Sequence, residues 1–298
     1  PTLVQPHRYG RNVFNRVSYK TVVAVVYVIS LFMQIVDGTI INVALPTLAR
    51  EFDVSKTDVG WTVLAFVLAL SVAIPAAGWL GDRYGLKRVF LIAMTGFTLA
   101  SLLCGLSGSL GQLIGFRALQ GAFSGLITPV GAALLFKAYP LDERADASRK
   151  IITVVVIAPA IGPVLGGFLI EVASWRWIFF VNLPFGLLAL LVAGMALRED
   201  RHPSPGSLDV WGLVLSMTGL ALLVFGISQG SEIGWSSPIV LGALIGSCVV
   251  LVALWRVEST IDNPLLALRL EIHERPVAHL RKSRDLTLRH LTPREEAR

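Results

Sequence analysis

Two charged residues, Asp37 and Arg117, lie deep within long apolar stretches of this sequence. A charge at the centre of a bilayer costs about 2.5–3.5 kcal/mol on insertion scales, so such residues are normally retained for a function. An apolar environment and a nearby arginine act in opposite directions on a carboxylate, which can leave it able to exchange protons near the working pH. The alternative is an inert buried Asp–Arg pair that locks helices together.

Polar and small residues recur on one face of the helix that carries Arg117, which is typical of a water-filled cavity. These residues are Arg117, Gln120, Gly121, Ser124 and Thr128. On the helix that carries Asp37, Gln34 lies about 60° around the axis from Asp37, while Thr39 and Asn42 share the opposite side. The candidate residues for coupling proton movement to substrate movement are therefore Asp37, Arg117, Gln34 and Gln120.

Long apolar tracts must position these side chains. Hydrophobic residues make up 54% of the chain and charged residues 15%, whereas soluble domains carry about 25% charged residues. The tracts are as long as a membrane-spanning helix requires, about 17–25 residues. They cover residues 21–49, 59–81, 89–116, 118–136, 151–170, 177–197, 210–231 and 233–255. The sequence predicts an all-α membrane protein with eight transmembrane helices. A large soluble α-protein is disfavoured because the tracts are apolar all round.

The positions of Lys and Arg predict the orientation. If the N-terminus is cytoplasmic, 22 of the 26 Lys and Arg lie on the cytoplasmic side, Arg117 lies within a span, and Arg50, Lys56 and Arg176 lie outside. This bias agrees with the positive-inside rule. We therefore expect a multi-pass protein of the inner or plasma membrane with both termini in the cytoplasm. The net charge of +6 then reflects contact with the lipid bilayer and excludes nucleic acid as the expected partner.

Composition divides the chain into five segments. They are a cytoplasmic N-terminal segment (1–20), a six-helix bundle (21–197), a cytoplasmic linker (198–209), two additional transmembrane helices (210–256) and a basic cytoplasmic tail (257–298). The linker is predicted from its Pro, Gly and charged residues. The sequence lacks a nucleophile–base pair and the Cys or His spacing of a metal site, so neither an enzyme nor a metal protein is expected.

The loop after the second predicted helix has regularly spaced glycines and charges. It contains Gly78, Asp82, Arg83, Gly85, Lys87 and Arg88. Glycine permits a tight turn, and Asp82 can accept bonds from a helix N-terminus. The loop resembles the signature of the major facilitator superfamily, although Leu86 stands where that family usually has a basic residue. The resemblance implies a cytoplasmic gating loop.

Four further motifs resemble one branch of that superfamily, the fourteen-helix drug–proton antiporters of the EmrB/QacA type. They are the helix-one motif at 37–46, the helix-four motif at 117–121, the helix-five antiporter motif at 158–167 and the start of helix six at 174–186. The antiporter motif supplies Pro159, Gly162, Pro163, Gly166 and Gly167, with Ala158 in place of the usual first glycine. The resemblance covers about residues 20–270.

The resemblance implies a six-helix N-terminal bundle, two inserted helices and a second six-helix bundle that this chain lacks. It also implies proton-coupled efflux of small amphipathic drugs or toxic compounds, with Asp37 as a proton or cation site and Arg117 assisting proton relay. The proton gradient would supply the energy without a cofactor, and a periplasmic adaptor protein is a candidate partner. The last 28 residues do not resemble the ninth helix, so we expect the N-terminal part of a larger transporter.

Two alternatives stay open. The protein could export one particular metabolite, since fold and coupling motifs do not set the substrate. It could also be a non-transporting truncated membrane fragment, or a partner subunit of another polypeptide.

Overall fold

A computed structural model describes residues 18–199 and 209–259, which all lie in one compact unit, Pro1–Leu265. Most of the predicted N-terminal segment and linker, and nearly all of the predicted tail, lie outside the described residues. Within the described residues there are ten α-helices. They are α1 (Tyr19–Glu51), α2 (Lys56–Ala73), α3 (Ala76–Tyr84), α4 (Leu86–Gly105), α5 (Leu110–Ala138), α6 (Arg144–Val172), α7 (Trp177–Phe180), α8 (Asn182–Ala196), α9 (Val210–Ile233) and α10 (Pro238–Glu258).

Eight stretches of these helices are long and apolar enough to cross a membrane. A short 3-10 turn (Leu141–Glu143) precedes α6 and counts with it as one span, as do α7 and α8 together. The predicted all-α membrane fold with eight transmembrane helices is therefore confirmed. The outward faces of the spans are apolar, as contact with lipid requires. Large exposed side chains on α6 and α10 include Val156, Val164, Phe168, Ile245 and Val249.

The end of the third span lies inside an uncharged tract, so the predicted boundary at residue 116 is wrong. The turn falls between Gly105 and Leu110 instead. Its polar backbone groups are satisfied without charges, because Ser109 Oγ accepts from the Gln112 amide and the Gln112 side chain accepts from Gly108 N. Such side-chain caps end and begin helices as effectively as charged residues do.

Several prolines lie within the spans, and most of them do not end a helix. Pro75 separates α2 from α3, whereas Pro129 lies within the continuous helix α5. Pro159 and Pro163 both lie within α6 on its exposed side. Proline in a membrane helix frees a carbonyl group but need not end the helix where the surroundings accommodate it.

Helix α1 lies at the centre of the bundle and packs against α5, α6 and α8. Helix α5 packs in turn against α2 and α4. Helices α9 and α10 pair with each other, and α9 also contacts α2. The helices that carry Asp37 and Arg117 therefore face each other inside the bundle.

Glycine pairs at spacing four behave differently along α5. A Cβ added at Gly121 or Gly125 would lie 2.2 or 2.4 Å from carbonyl oxygens of α2. Only glycine permits that approach of two helix backbones. The pair Gly111 and Gly115 has nothing within 4 Å of an added Cβ, so this pair does not bring two helices together.

Candidate functional site

Asp37 on α1 and Arg117 on α5 form a direct ion pair inside the bundle. Arg117 Nη1 donates to Asp37 Oδ2 over 2.7 Å, and both side chains are 0% exposed. In such surroundings an unpaired charge is strongly unfavourable, so each residue neutralises the other. The structure thus joins the two charges that the sequence places deep within spans.

The second oxygen of Asp37 is held by two amides. Asp37 Oδ1 accepts from Gln120 Nε2 over 2.9 Å and from Asn182 Nδ2 over 2.6 Å. Both amides also donate to Ser101 Oγ, which itself donates to the carbonyl oxygen of Phe179. The carboxylate therefore accepts three hydrogen bonds, and one network joins α1, α4, α5 and α8.

The guanidinium of Arg117 has further contacts on α2 and α5. Its Nη1 also donates to Gln120 Oε1 over 2.7 Å, and its Nε donates to the carbonyl oxygen of Thr62 over 3.3 Å. Its central carbon lies 4.1 Å from the centre of the Phe66 ring, a favourable cation–π geometry. Nη2 has no hydrogen-bond partner among the described residues. The ion pair thus also depends on the position of α2.

Gln34 belongs to a neighbouring polar cluster. Its Oε1 accepts from Ser124 Oγ over 2.7 Å and from Thr128 Oγ1 over 3.1 Å, and its Nε2 donates to the carbonyl oxygen of Ser30. No hydrogen bond joins it to Asp37 within the described residues. Of the four candidate coupling residues, the structure connects three directly and places Gln34 nearby on the same pair of helices.

Most of the polar stripe of α5 is buried, contrary to the expectation that it lines a water-filled cavity, and only Thr128 at its end is exposed. Arg117 and Gln120 are 0% exposed and Ser124 is 1% exposed. The buried part of the stripe packs against α1 and α2, whose groups form hydrogen bonds with Arg117, Gln120 and Ser124. Buried polar groups are tolerated when they are hydrogen-bonded in this way.

The predicted gating loop is largely helical, since it consists of the end of α3, the single connecting residue Gly85 and the start of α4. Gly85 has φ of 91°, a conformation that other residues rarely adopt. Asp82 and Arg83 are exposed at the end of α3. A Cβ added at Gly78 would have no neighbouring atom within 4 Å. Within the described chain, Asp82 accepts no hydrogen bond from a helix N-terminus, so that expected contact is not observed.

The basic residues of this loop attach it to the end of the sixth span. Lys87 Nζ donates to the carbonyl oxygen of Gly194 over 2.9 Å. Arg88 lies 3.5 Å from a carboxylate oxygen of Glu199. Lysine near a helix C-terminus also interacts favourably with the negative end of the helix dipole. The loop is therefore fixed to α8.

The antiporter motif brings α6 close to the helix of Asp37. A Cβ at Gly162 would lie 2.0 Å from Thr39 Oγ1, and one at Gly166 would lie 2.7 Å from Ile40 Cγ1. A Cβ added at Gly167 would have no neighbouring atom within 4 Å. Two of the motif's three glycines thus allow α6 to pack tightly on α1, two to three residues after Asp37.

Sequence reasoning missed Asn182, Ser101 and Thr62 as contributors to the site. Asn182 is the only amide side chain in the apolar tract 177–197, which is a signal that could have identified it. Ser101 offers no such signal, because serines in apolar helices usually bond to a carbonyl of their own helix. Thr62 contributes a backbone atom, which no side-chain pattern predicts.

The site lies within a region of recognised sequence similarity. A sequence profile of the Major Facilitator Superfamily matches residues 27–255. The chain belongs to this superfamily. It is therefore a multi-pass member of a family of membrane transporters, not of enzymes.

Individual relatives show which branch of the superfamily this chain resembles. The multidrug export protein EmrB of Haemophilus influenzae is 37% identical over 243 residues, which is 80% of this chain and 47% of that protein. The probable multidrug resistance protein EmrY of Escherichia coli K12 is 37% identical over 242 residues, again 80% of this chain and 47% of that protein. The chain spans about half the length of the curated relatives it matches. The predicted resemblance to the EmrB type is confirmed.

Solved structures agree on the fold. The human organic anion transporter MFSD10 superimposes with a TM-score of 0.54 at 17% identity, over 71% of this chain and 56% of that one. An inward-facing, occupied bacterial homologue of the human lysosomal transporter Spinster gives 0.52 at 20% identity, over 83% of this chain and 63% of that one. At these identities the likeness shows the transporter fold alone.

Proposed function

We propose that this chain is the N-terminal part of a proton-coupled exporter that moves small amphipathic drugs or toxic compounds across the inner membrane. The names of its EmrB and EmrY relatives support a drug transporter. Antiport driven by the proton gradient, with no cofactor, is the finer part of the proposal. The observation that carries it is the fully buried Asp37 carboxylate, which three side chains from two other helices contact.

The hydrogen bonds of Asp37 suggest how protonation of its carboxylate would change the packing of the helices. The ionised carboxylate accepts from Arg117, Gln120 and Asn182. A proton on either oxygen removes the charge that neutralises Arg117 and replaces an acceptor site with a donor. The contacts of α1 with α5 and α8 would then favour a different arrangement. A change of protonation that shifts the balance between two packings is what coupled transport requires.

The proposed orientation places the loop between α3 and α4 and both chain ends in the cytoplasm. Arg83, Lys87 and Arg88 in that loop support this orientation, because cytoplasmic loops carry an excess of Lys and Arg. A periplasmic adaptor protein belongs to the proposal through the resemblance to EmrB-type exporters alone. Protons and a small-molecule substrate are its other partners.

The experiment joins this chain in frame to the remaining half of an EmrB relative and measures dye efflux driven by a pH gradient in vesicles. Asp37→Asn keeps the size of the side chain but removes the titration, so efflux per folded molecule should fall to background. Asp142→Asn, at an exposed carboxylate before α6, is the matched control and should transport normally. Normal pH-driven efflux by well-folded Asp37→Asn protein would remove Asp37 from the mechanism.

A further inference from the structure

A second site candidate lies away from the Asp37 network. A cavity of about 300 Å³ opens between α1, α2 and α9, at the end of the bundle where α1 ends and α2 begins. Its lining includes Asn42 from α1, Trp61 from α2 and Gln229 and Glu232 from α9. None of the side chains that contact Asp37 lines it. The volume is at the lower end of the range for small-molecule pockets.

Glu232 supplies a negative charge to this cavity. Among the described residues, no Lys or Arg lies within ion-pair distance of its carboxylate. Lys56, the cation just before the α2 part of the lining, is not itself a lining residue. A carboxylate in a cleft with apolar helix walls concentrates the local field and attracts cations.

Trp61 supplies an aromatic wall. Its side chain is 38% exposed, and its ring lies 6.4 Å from the ring of Phe225 on α9. This aromatic pair connects α2 to α9 beside the cavity. Trp is the strongest cation–π partner among the aromatic side chains, and its accessible face also accommodates an apolar group.

Two amide side chains add polar atoms to the lining. Asn42 Nδ2 donates to the carbonyl oxygen of Thr39 over 3.3 Å, which leaves its Oδ1 and one N–H for a ligand. Gln229 makes no side-chain hydrogen bond within the described part of the chain. Acceptor oxygens, one carboxylate and an aromatic face together match an organic ammonium group. They do not match Ca²⁺, which needs six to eight oxygen ligands.

We propose that the cavity lined by Asn42, Trp61, Gln229 and Glu232 binds small organic cations that carry an aromatic or branched apolar group. The ammonium group lies between the Glu232 carboxylate and the Trp61 ring, and the apolar group packs on the α2 wall. Helix α9, one of the two helices outside the six-helix bundle, therefore contributes Gln229 and Glu232 to the binding site. Binding at this site requires neither Asp37 nor a proton gradient, so this inference goes beyond the proposed function.

The experiment titrates the purified 298-residue chain in a non-ionic detergent with benzyltrimethylammonium, using calorimetry. Wild-type protein should show saturable binding to one site, and neutral benzyl alcohol should not compete. Glu232→Gln and Trp61→Leu should each weaken binding about fivefold, the upper end for an exposed cation–π or ion-pair contact. Gln229→Glu adds a second carboxylate and should strengthen binding, a gain that misfolding cannot mimic.

Two matched variants control for surface charge and aromatic content. Glu171→Gln and Trp211→Leu alter an exposed acid on α6 and an exposed indole on α9, both outside the cavity lining, and should bind as wild type does. Circular dichroism and size-exclusion chromatography verify that each variant is folded. Equal affinity in wild type and Glu232→Gln, no change in Gln229→Glu, or no saturable binding to wild type would each overturn the proposal. No gradient is applied, so a failed binding test and failed proton coupling are distinguishable.

Discussion

Asn182 and Asp37 are 145 residues apart in the chain, yet the Asn182 amide donates to the Asp37 carboxylate over 2.6 Å. Helix α8 begins at Asn182, just after the break at Val181 that ends α7. The break therefore places this amide at the first residue of a helix, where it reaches α1 and Ser101 on α4 together. A local irregularity in the sixth span thus completes the coordination of the buried carboxylate.

We expect Asn182→Leu to destabilise the folded chain by about 1–3 kcal/mol, because the buried Asp37 Oδ1 and Ser101 Oγ each lose one of their two amide donors. Thermal unfolding in detergent, followed by circular dichroism, measures the change. Thr95→Val removes an exposed hydroxyl that bonds only to its own helix α4 and serves as the control. If the two variants unfold at the same temperature, Asn182 does not stabilise the site.

The sequence predicted the spans better than the site. Long uncharged tracts specify membrane helices because every backbone polar group must be satisfied within the bilayer, and eight were recovered. Asp37 and Arg117 were identifiable because an intramembrane charge is rare and costly. Their pairing depends on how α1 packs against α5, which periodicity within one helix does not encode.

Other features of the site could not be read from residue types. The polar stripe that includes Ser124 was expected to face water, but Gln120 and Ser124 are buried because Asp37 and Gln34 on α1 supply their partners. The cavity beside Glu232 depends on α9 contacting α2, and these helices are far apart in the chain. Long-range packing, rather than local pattern, decides both outcomes.

Arg117→Lys should impair pH-driven efflux in the chain joined to a second bundle, even though it keeps the positive charge. Arginine contacts the Asp37 carboxylate, Gln120 and the Thr62 carbonyl oxygen at once, and its flat guanidinium stacks on the Phe66 ring. A lysine ammonium cannot reproduce this planar geometry. Efflux rate per folded molecule in vesicles is the measurement. Wild-type rates in Arg117→Lys would show that charge alone suffices.

Labelling of single cysteines should establish the orientation. In a background without Cys104 and Cys248, a cysteine at Ser236 between α9 and α10 should react with an impermeant maleimide in intact cells. A cysteine at Ser148, near the start of α6, should react only after the membrane is permeabilised. The positive-inside bias is the physical reason. The reverse order of reaction would refute the proposed topology.

The 298-residue chain alone should not couple a proton gradient to dye efflux in proteoliposomes. Alternating access requires two bundles that move against each other around a central site, and the described residues form a single bundle with two further spans. The same chain joined to the second half of an EmrB relative is the positive control. Gradient-driven efflux from protein of verified mass would contradict this expectation. Loss of efflux in both samples would favour the non-transporting alternative.

Gly121→Ala should lower the stability of the chain by about 1–3 kcal/mol or more, as other overpacking substitutions do. The added methyl would lie 2.2 Å from the Phe66 carbonyl oxygen, so the backbones of α2 and α5 would have to separate. That movement would also draw the Thr62 carbonyl away from Arg117 Nε, a bond that is already 3.3 Å long. The variant should therefore weaken both the helix packing and the environment of the ion pair.

Gly115→Ala is the matched control on the same helix. Nothing lies within 4 Å of a Cβ at this position, and alanine is favoured over glycine within a helix by about 1 kcal/mol. This variant should unfold at the wild-type temperature or slightly above it, whereas Gly121→Ala should unfold well below. Thermal unfolding of both proteins in the same detergent makes the comparison. If the two substitutions have equal effects, backbone contact at Gly121 is not what holds α2 against α5.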